Sequence, residues 1–322
     1  MMTTTQLQPR LTLGDAYDLI KQKSRNHHDQ LVPVKEIGDC TASSICIQGQ
    51  THPLSTIAAR ALCGRLNIPF NYISSLPQYM QQLNLNYGLT HQREKELLIR
   101  YDGNRVRAIF SKRYVQMDHL TIVAALMEAG VNSKRPVQLR MDEGLMQLSL
   151  LQPERNYALP GDDVHTPGLS ILNSELGLSS FSIAPFTLRL VCTNGLISRI
   201  HGTTTNYRHV SDKALKQLPR ILHTAAEQVD QQRQQLTLSL ESPVEDMAAT
   251  LETLGRQFGL NKQQKEAVTW ALPQETGPTL FHAVQTLTRA AHYPELDTEQ
   301  TAHLQQVGGE VLRLVKPWKK AA

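Results

Sequence analysis

The chain has 322 residues, 40% of them hydrophobic and 19% charged, which supplies a sizeable core and argues against disorder. No window approaches the roughly 18 uninterrupted apolar residues of a membrane span, and the charged first thirty residues lack the apolar centre of a secretion signal, so a cytoplasmic protein with no membrane partner is expected. The four cysteines, Cys40, Cys46, Cys63 and Cys192, form no CxxC pair and read as reduced core thiols rather than a disulfide frame.

In chain order, Leu13, Ala16, Leu19 and Ile20 fall at helical spacing within residues 11–23, with Gly14-Asp15 near the cap. Alternating apolar residues around Pro33 suggest an extended segment, and Cys40–Gln50 a short hairpin strand. A second helix is expected from about His52, capped by Ser55 or Thr56 and ended by Asn67-Ile68-Pro69, followed by a short helix over Leu76–Leu83. The texture changes at Glu96. Residues 96–114 read as a β-hairpin turning at Asp102-Gly103-Asn104, a strong local signal. Strand alternation puts Arg105, Arg107 and Ile109 on one face and Val106, Ala108 and Phe110 on the other. Asp118–Ala129 is a helix stopped at Gly130, and 137–141 and 145–151 are strands around a turn at Asp142-Glu143-Gly144.

The tract from Pro160 to Gly168 is rich in breakers and is expected as a loop. Its Asp162-Asp163 pair beside His165 has the donor types for a divalent cation, but adjacent carboxylates on such a loop are more often solvated, and no metal or other cofactor is assigned. Residues 172–196 hold the most specific-looking chemistry. Asn173 and Ser174 sit at one end, Gly177 and the serines turn the chain, and Phe186–Cys192 alternates as a half-buried strand. Thr193-Asn194-Gly195 then supplies a turn or helix entry. From Tyr207 the chain is helical: 212–229 with an interruption at Pro219, a Gln-rich continuation, 243–258 with Ser242 and Glu245 as a capping box, then 261–272, 279–292 and 298–315.

The expected fold is α+β. A helical N-terminal segment (1–90) packs on a mainly antiparallel β-rich core (91–205), and a helical part (206–322) follows; no linker separates the three, so they can share one domain. The net charge of +4 is unevenly spread: residues 91–140 carry ten Lys/Arg against five Asp/Glu, and 173–220 carry six against two. A concentrated basic stretch is the footprint of a nucleic-acid binder, although basic strand edges on ordinary soluble proteins look the same. In the hairpin, Arg105, Arg107, Lys112 and Arg113 would hold phosphates while Tyr101 and Tyr114 stack on bases, with Arg189, Arg199, His201 and Arg208 extending the surface. The main alternative for 173–194 is an enzyme site in which Ser174 or Cys192 is the nucleophile and His165 or His201 the base. Against that, the chain has no GxSxG, HExxH, P-loop or GxGxxG, and Cys192 falls on an apolar strand face. Asn173, Ser174, Gly177, Cys192, Thr193, Asn194 and Gly195 are therefore assigned a structural role, with the side chains of Asn173, Ser174 and Asn194 capping turns.

Three blocks together, RAIFSKRY (107–114), NSELGLSSFSIAPFTLRLVCTNGL (173–196) and TLFHAVQTLTRAAH (279–292), resemble the DUF932 family, and 54–77 is similar to that family's lead-in. The resemblance spans roughly residues 10–295, with His282-Ala283 where Asn-Ala is expected. It implies a phage- or plasmid-related protein of mobile elements, acting in DNA recombination, annealing, replication or evasion of defence. The function expected is DNA binding, single-stranded more than double-stranded, by a non-enzymatic and oligomeric protein. A protein-interaction or anti-defence factor without nucleic acid is the alternative.

Overall fold

The computed structural model describes residues 11–190, 194–197 and 216–315. Cys192, Thr193, Arg199, His201 and Arg208 lie outside the described residues. Helix at 46% and strand at 25%, with every ladder antiparallel, make this an α+β protein. Two compact units divide the chain: residues 18–116, and residues 1–17 together with 117–322. The basic hairpin and the 173–196 block therefore belong to different units.

The 18–116 unit contains two three-stranded sheets. One orders β2 (His27–Pro33), β6 (Glu96–Asp102) and β7 (Arg105–Ser111); the other joins β3 (Ile37–Gly38), β4 (Ser44–Ile47) and β5 (Gln50–Pro53). The hairpin turns as the sequence predicts, with Asp102 opposite Arg105 and Gly103 at φ +55°, a backbone state that glycine reaches without steric penalty. Its alternation is broken by a register shift against β6 at Arg100/Tyr101, and residues 106–110 are all buried, with Val106 and Ile109 in the core that α2 (Thr56–Arg65) shares. Ser55 caps α2 by accepting from the Ala58 amide at 3.0 Å, and its own hydroxyl donates to the Arg107 carbonyl at 2.8 Å, so one side chain starts the helix and ties it to the strand.

The short helix expected at 76–83 is the longer α4 (Gln78–Thr90), and a further helix, α3 (Phe70–Ser75), precedes it. Pro69 and Pro77, each with extended ψ, start them, and Gly88 lets α4 close on Leu66, where a β-carbon would crowd that side chain.

In the second unit a seven-stranded sheet runs β1 (Leu11–Thr12), β8 (Pro136–Met141), β9 (Met146–Leu151), β11 (Asp163–Asn173), β12 (Ser182–Arg189), β13 (Asn194–Ile197), with β10 (Tyr157–Leu159) paired to the start of β11. The loop expected at 160–168 is thus corrected. Only Pro160-Gly161-Asp162 turn, with Gly161 and Asp162 both at positive φ, and the rest is strand. Pro167 is tolerated because its carbonyl, on the same strand edge as its missing N–H, takes the Gln152 amide at 2.8 Å just beyond the end of β9. Asn194 and Gly195 likewise do not form a turn: they open β13, opposite Arg189 and Leu188.

Helix α5 (His119–Glu128) ends at Gly130 in a Schellman motif, with Val131 N donating to Leu126 O and Gly130 N to Met127 O. The C-terminal helices are α6 (Leu218–Glu227), α7 (Val229–Leu240), α8 (Met247–Gln257), α9 (Lys262–Ala271), α10 (Leu280–Ala290) and α11 (Thr298–Leu312). The capping box expected at Ser242 is absent, because Ser242 and Val244 hydrogen-bond to Leu280 and Pro278 instead, and α8 starts later behind Asp246. Capping boxes occur at Asn261/Gln264 and Asp297/Gln300. Leu236, Leu254, Phe281, Val284, Leu304 and Val307 form the helical core, and Thr187–Gln232 (2.7 Å) and Gln147–Gln305 (2.5 Å) join helices to sheet through buried polar pairs. No described helix is long and apolar enough to cross a membrane.

Gly168 sits mid-sheet where a β-carbon would run into the Leu150 carbonyl oxygen. Gly168→Ala must push β9 and β11 apart, so a loss of at least about 3 kcal/mol in urea unfolding, or no folded protein, is expected.

Candidate functional site

The Asn173-Ser174-Glu175 sequence is almost wholly buried, at 0%, 0% and 2% exposure, and each side chain has hydrogen-bonding work. Asn173 Nδ2 donates to the Met117 carbonyl at 2.8 Å and lies 3.0 Å from His119 Nδ1. Ser174 Oγ donates to the Gly144 carbonyl at 2.7 Å and accepts from the amides of Leu176 and Leu178, closing the turn where Gly177 takes φ +76°. Glu175 Oε1 accepts the His119 amide at 2.8 Å, so a carboxylate from the turn after β11, and not the Asp118 side chain, meets the positive end of α5. The three residues fasten the end of β11 to the start of α5 and to the β8–β9 turn. Ser174, donating to a carbonyl and accepting two amides, has no base beside it among these bonds.

A second cluster surrounds Arg189. Its Nε meets both carboxylate oxygens of Asp163 at 2.8 and 2.9 Å, and a terminal nitrogen meets Glu275 at 2.8 Å, while Arg289 holds the other Glu275 oxygen at 2.6 Å. Arg189 is thus a structural cation rather than part of a phosphate-binding surface: burial requires a paired charge, and two carboxylates supply it. Asp162 and Asp163 part company, Asp162 in the exposed turn and Asp163 in this network. His165 Nε2 lies 3.2 Å from Asp163, and its ring stacks on Tyr157 and meets Phe281 edge-on. Burial pushes its pKa below the ordinary histidine value, with Asp163 pulling the other way. No group of three or more metal-ligating side chains occurs among the described residues.

In the 18–116 unit the proposed stackers and cations separate by exposure. Tyr101 is 2% and Arg107 5% exposed, so neither stands out on the surface as the sequence expected, and Arg107 donates to His27 Nδ1 at 2.9 Å. Tyr101 stacks on His28 and Arg107 meets His27, successive residues that face opposite sides of β2. Arg105, Lys112 and Arg113 are exposed, Lys112 standing 3.5 Å from Glu96, and Tyr114 stacks at 3.8 Å on Phe110. The unit holds thirteen Lys/Arg against seven Asp/Glu, a net +6, while the rest of the chain is −2. Ten of the thirteen cations are exposed but only three of the seven acids, since Asp29, Glu94 and Glu96 pair with Arg100, Arg65 and Lys112.

Exposed aromatics went unnoticed in the sequence: Tyr72 on α3 and Tyr79 and Tyr87 on α4 are 48%, 64% and 69% exposed. Their signal was the i, i+4, i+8 spacing of Tyr79, Leu83 and Tyr87 on a helix without a charged residue. The Cys40 thiol is not a reactive group; burial, then Asp39 and the neighbouring cysteines, push it up to about 12.

Residues 107–309 match the model of a family described as a domain of unknown function, DUF932. That span starts inside β7, so the 54–77 lead-in lies outside it. No curated protein and no solved structure matches the chain.

Two outcomes follow from these geometries. Ser174→Ala removes three hydrogen bonds and leaves the Gly144 carbonyl buried without this donor, so urea unfolding should register a loss of about 1–3 kcal/mol. The proton that folding excludes from His165 is taken up by the unfolded chain near pH 6.5, so that stability is present above this pH and is lost as pH falls below it. The thermal midpoint should drop from pH 7 to pH 5, and His165→Gln should make that drop shallower; an unchanged slope would remove His165 as a cause.

Proposed function

The chain belongs to the DUF932 family, and from that premise we infer that it is a nucleic-acid-binding protein whose 18–116 unit holds single-stranded DNA. The observation that carries this reading is the unit's ten exposed cations against three exposed acids. Lys and Arg on such a surface neutralise phosphates and release counterions, which is the sequence-independent part of strand binding. Arg105, Lys112 and Arg113 remain candidates, joined by exposed residues such as Arg25, Lys35 and Arg60. The stacking role assigned to Tyr101 passes to Tyr72, Tyr79 and Tyr87, which offer their rings to bases. Action in the recombination or annealing of mobile-element DNA, in the cytoplasm and as an oligomer, belongs to the same proposal and rests on the family resemblance.

One observation favours a second reading. The uncharged stripe of Tyr79, Leu83 and Tyr87 also suits a protein partner. Salt separates the two, because strand binding weakens steeply with ionic strength and apolar docking does not.

Fluorescence anisotropy with a labelled 20-nucleotide strand at 50 and 200 mM NaCl tests the proposal. Wild type should bind with a strong salt dependence. Arg105→Glu with Lys112→Glu and Arg113→Glu should weaken binding at least about tenfold and flatten the salt slope by about 2, given roughly 0.7 per phosphate contact. Binding unchanged in the triple variant would remove these residues; absence of any binding by wild type would sink the function.

A further inference from the structure

Three segments of the 18–116 unit converge at the tip of the β6–β7 hairpin: the start of β2, the β4–β5 turn, and Gly103-Asn104. They enclose a solvent-open pocket of about 380 Å³, within the range of small-molecule sites. Its chemistry is unusual for a basic unit, since no Lys or Arg and no carboxylate lines it.

One wall is flat. His28 lies on the buried Tyr101 ring with centroids 4.7 Å apart and planes 4° from parallel, and His52 meets Tyr101 edge-on at 5.4 Å. His28 is itself exposed, so its outer face is a ring already backed by another ring.

The opposite chemistry is amide. Gln48 Nε2 donates to Glu36 at 2.7 Å, and because a carboxylate only accepts, this fixes which way the Gln48 amide points. Gln48 Oε1 then accepts from Gln30 Nε2 at 3.4 Å, and Gln30 Oε1 from the Tyr101 hydroxyl at 3.5 Å. A directional chain of donors thus runs from Tyr101 to Glu36, leaving one N–H on each amide for a ligand. His52 Nδ1 donates to the Asn104 carbonyl at 3.1 Å, so in the neutral ring Nε2 is an acceptor. Gln50 adds a further amide.

The backbone marks the same place. Gln48 and Gly49 are the two central residues of the β4–β5 turn, at φ +53° and +79°. The first position of such a turn favours Asn, Asp or Gly; a glutamine held there is strained, which points to use of its side chain.

Resting on the strand-binding reading above, we propose that this pocket takes one unstacked nucleobase of the bound strand, stacked on His28 and read along its edge by Gln48 and its neighbouring amides. Planar rings backed by aromatic side chains, and base edges carrying adjacent donors and acceptors, are what stacking walls and side-chain amides recognise. With no Lys or Arg in the lining, the pocket offers a phosphate no fixed positive charge, and its flat wall and amides suit a base instead. Phosphates fall instead to the rim, where Arg25 and Arg105, both exposed, adjoin Asn26 and Asn104, and the Asn26 carbonyl receives the Gly103 amide at 3.0 Å.

The test uses the full chain and labelled 20-mers of dA, dC and dT beside an abasic 20-mer of equal charge. Wild type should bind at least one base-bearing strand about tenfold more tightly than the abasic one. His28→Ala should close that gap while leaving abasic binding intact. Gln48→Gly should do the same, and because glycine is at ease at this φ the variant keeps its fold. Equal affinity for abasic and base-bearing strands, or a gap untouched by both variants, overturns the pocket and leaves strand binding standing. If wild type binds no strand, titration with adenosine, cytidine and thymidine, followed through the His28 and His52 ring proton signals, decides. Shifts in those signals sustain the pocket and overturn the strand; their absence overturns both.

Discussion

An arginine on a nearly buried strand end cannot stand alone, and much of the 117–315 region is arranged around meeting that demand. Arg189 draws the Asp163 carboxylate from the neighbouring strand and Glu275 from the helical part, and Glu275 in turn engages Arg289. The attraction between such groups barely repays their desolvation, but removing one partner leaves a charge that the interior cannot solvate. The network therefore specifies register. It fixes which end of β11 lies beside β12 and where the helices after residue 272 meet the sheet. His165 and Phe281 fill the apolar flank, with the Arg189 guanidinium 5.6 Å over the Phe281 ring.

Asn173, Ser174 and Glu175 do the same job with neutral groups and a single carboxylate at the other end of β11. Their hydrogen bonds reach Met117, His119 and Gly144, residues far apart in sequence. Between the two polar ends runs a strand buried on both faces, where Gly168 makes room for the adjacent backbone. Among the described residues, the Asn173-Ser174-Glu175 block is explained by the geometry of assembly, because each of its side chains is buried in hydrogen bonds that join the sheet to α5 and the β8–β9 turn.

Local signals were legible where local physics decided the outcome. The Asp-Gly turn of the hairpin, the Ser55 cap and the stop at Gly130 follow from turn and cap chemistry that a few neighbouring residues contain. The errors came where a distant segment intervened. Pro160–Gly168 reads as a loop by its breakers, yet β10 and β12 recruit most of it as strand. Ser242-Pro243-Val244 reads as a helix start, yet Pro278 and Leu280 take its backbone groups. The candidate site suffered in the same way: alternation placed Arg107 opposite Val106, but a register shift against β6 breaks that alternation and residues 106–110 are all buried. The pocket at the hairpin tip has no signature along the chain, because its walls come from β2, the β4–β5 turn and the 101–104 turn.

The family match begins at Arg107, within β7, and this has a bearing on any fragment made to its limits. Cutting there would strip β7 of β6, its hydrogen-bonded partner along residues 97–111, and with it β2 beyond. The fragment would begin with Arg107 and run through Ala108, Ile109 and Phe110 as a short, mostly apolar strand with open N–H and C=O edges, the kind of end that seeks another copy of itself. A recurring sequence unit and a self-sufficient folding unit are, in this protein, two different lengths of chain.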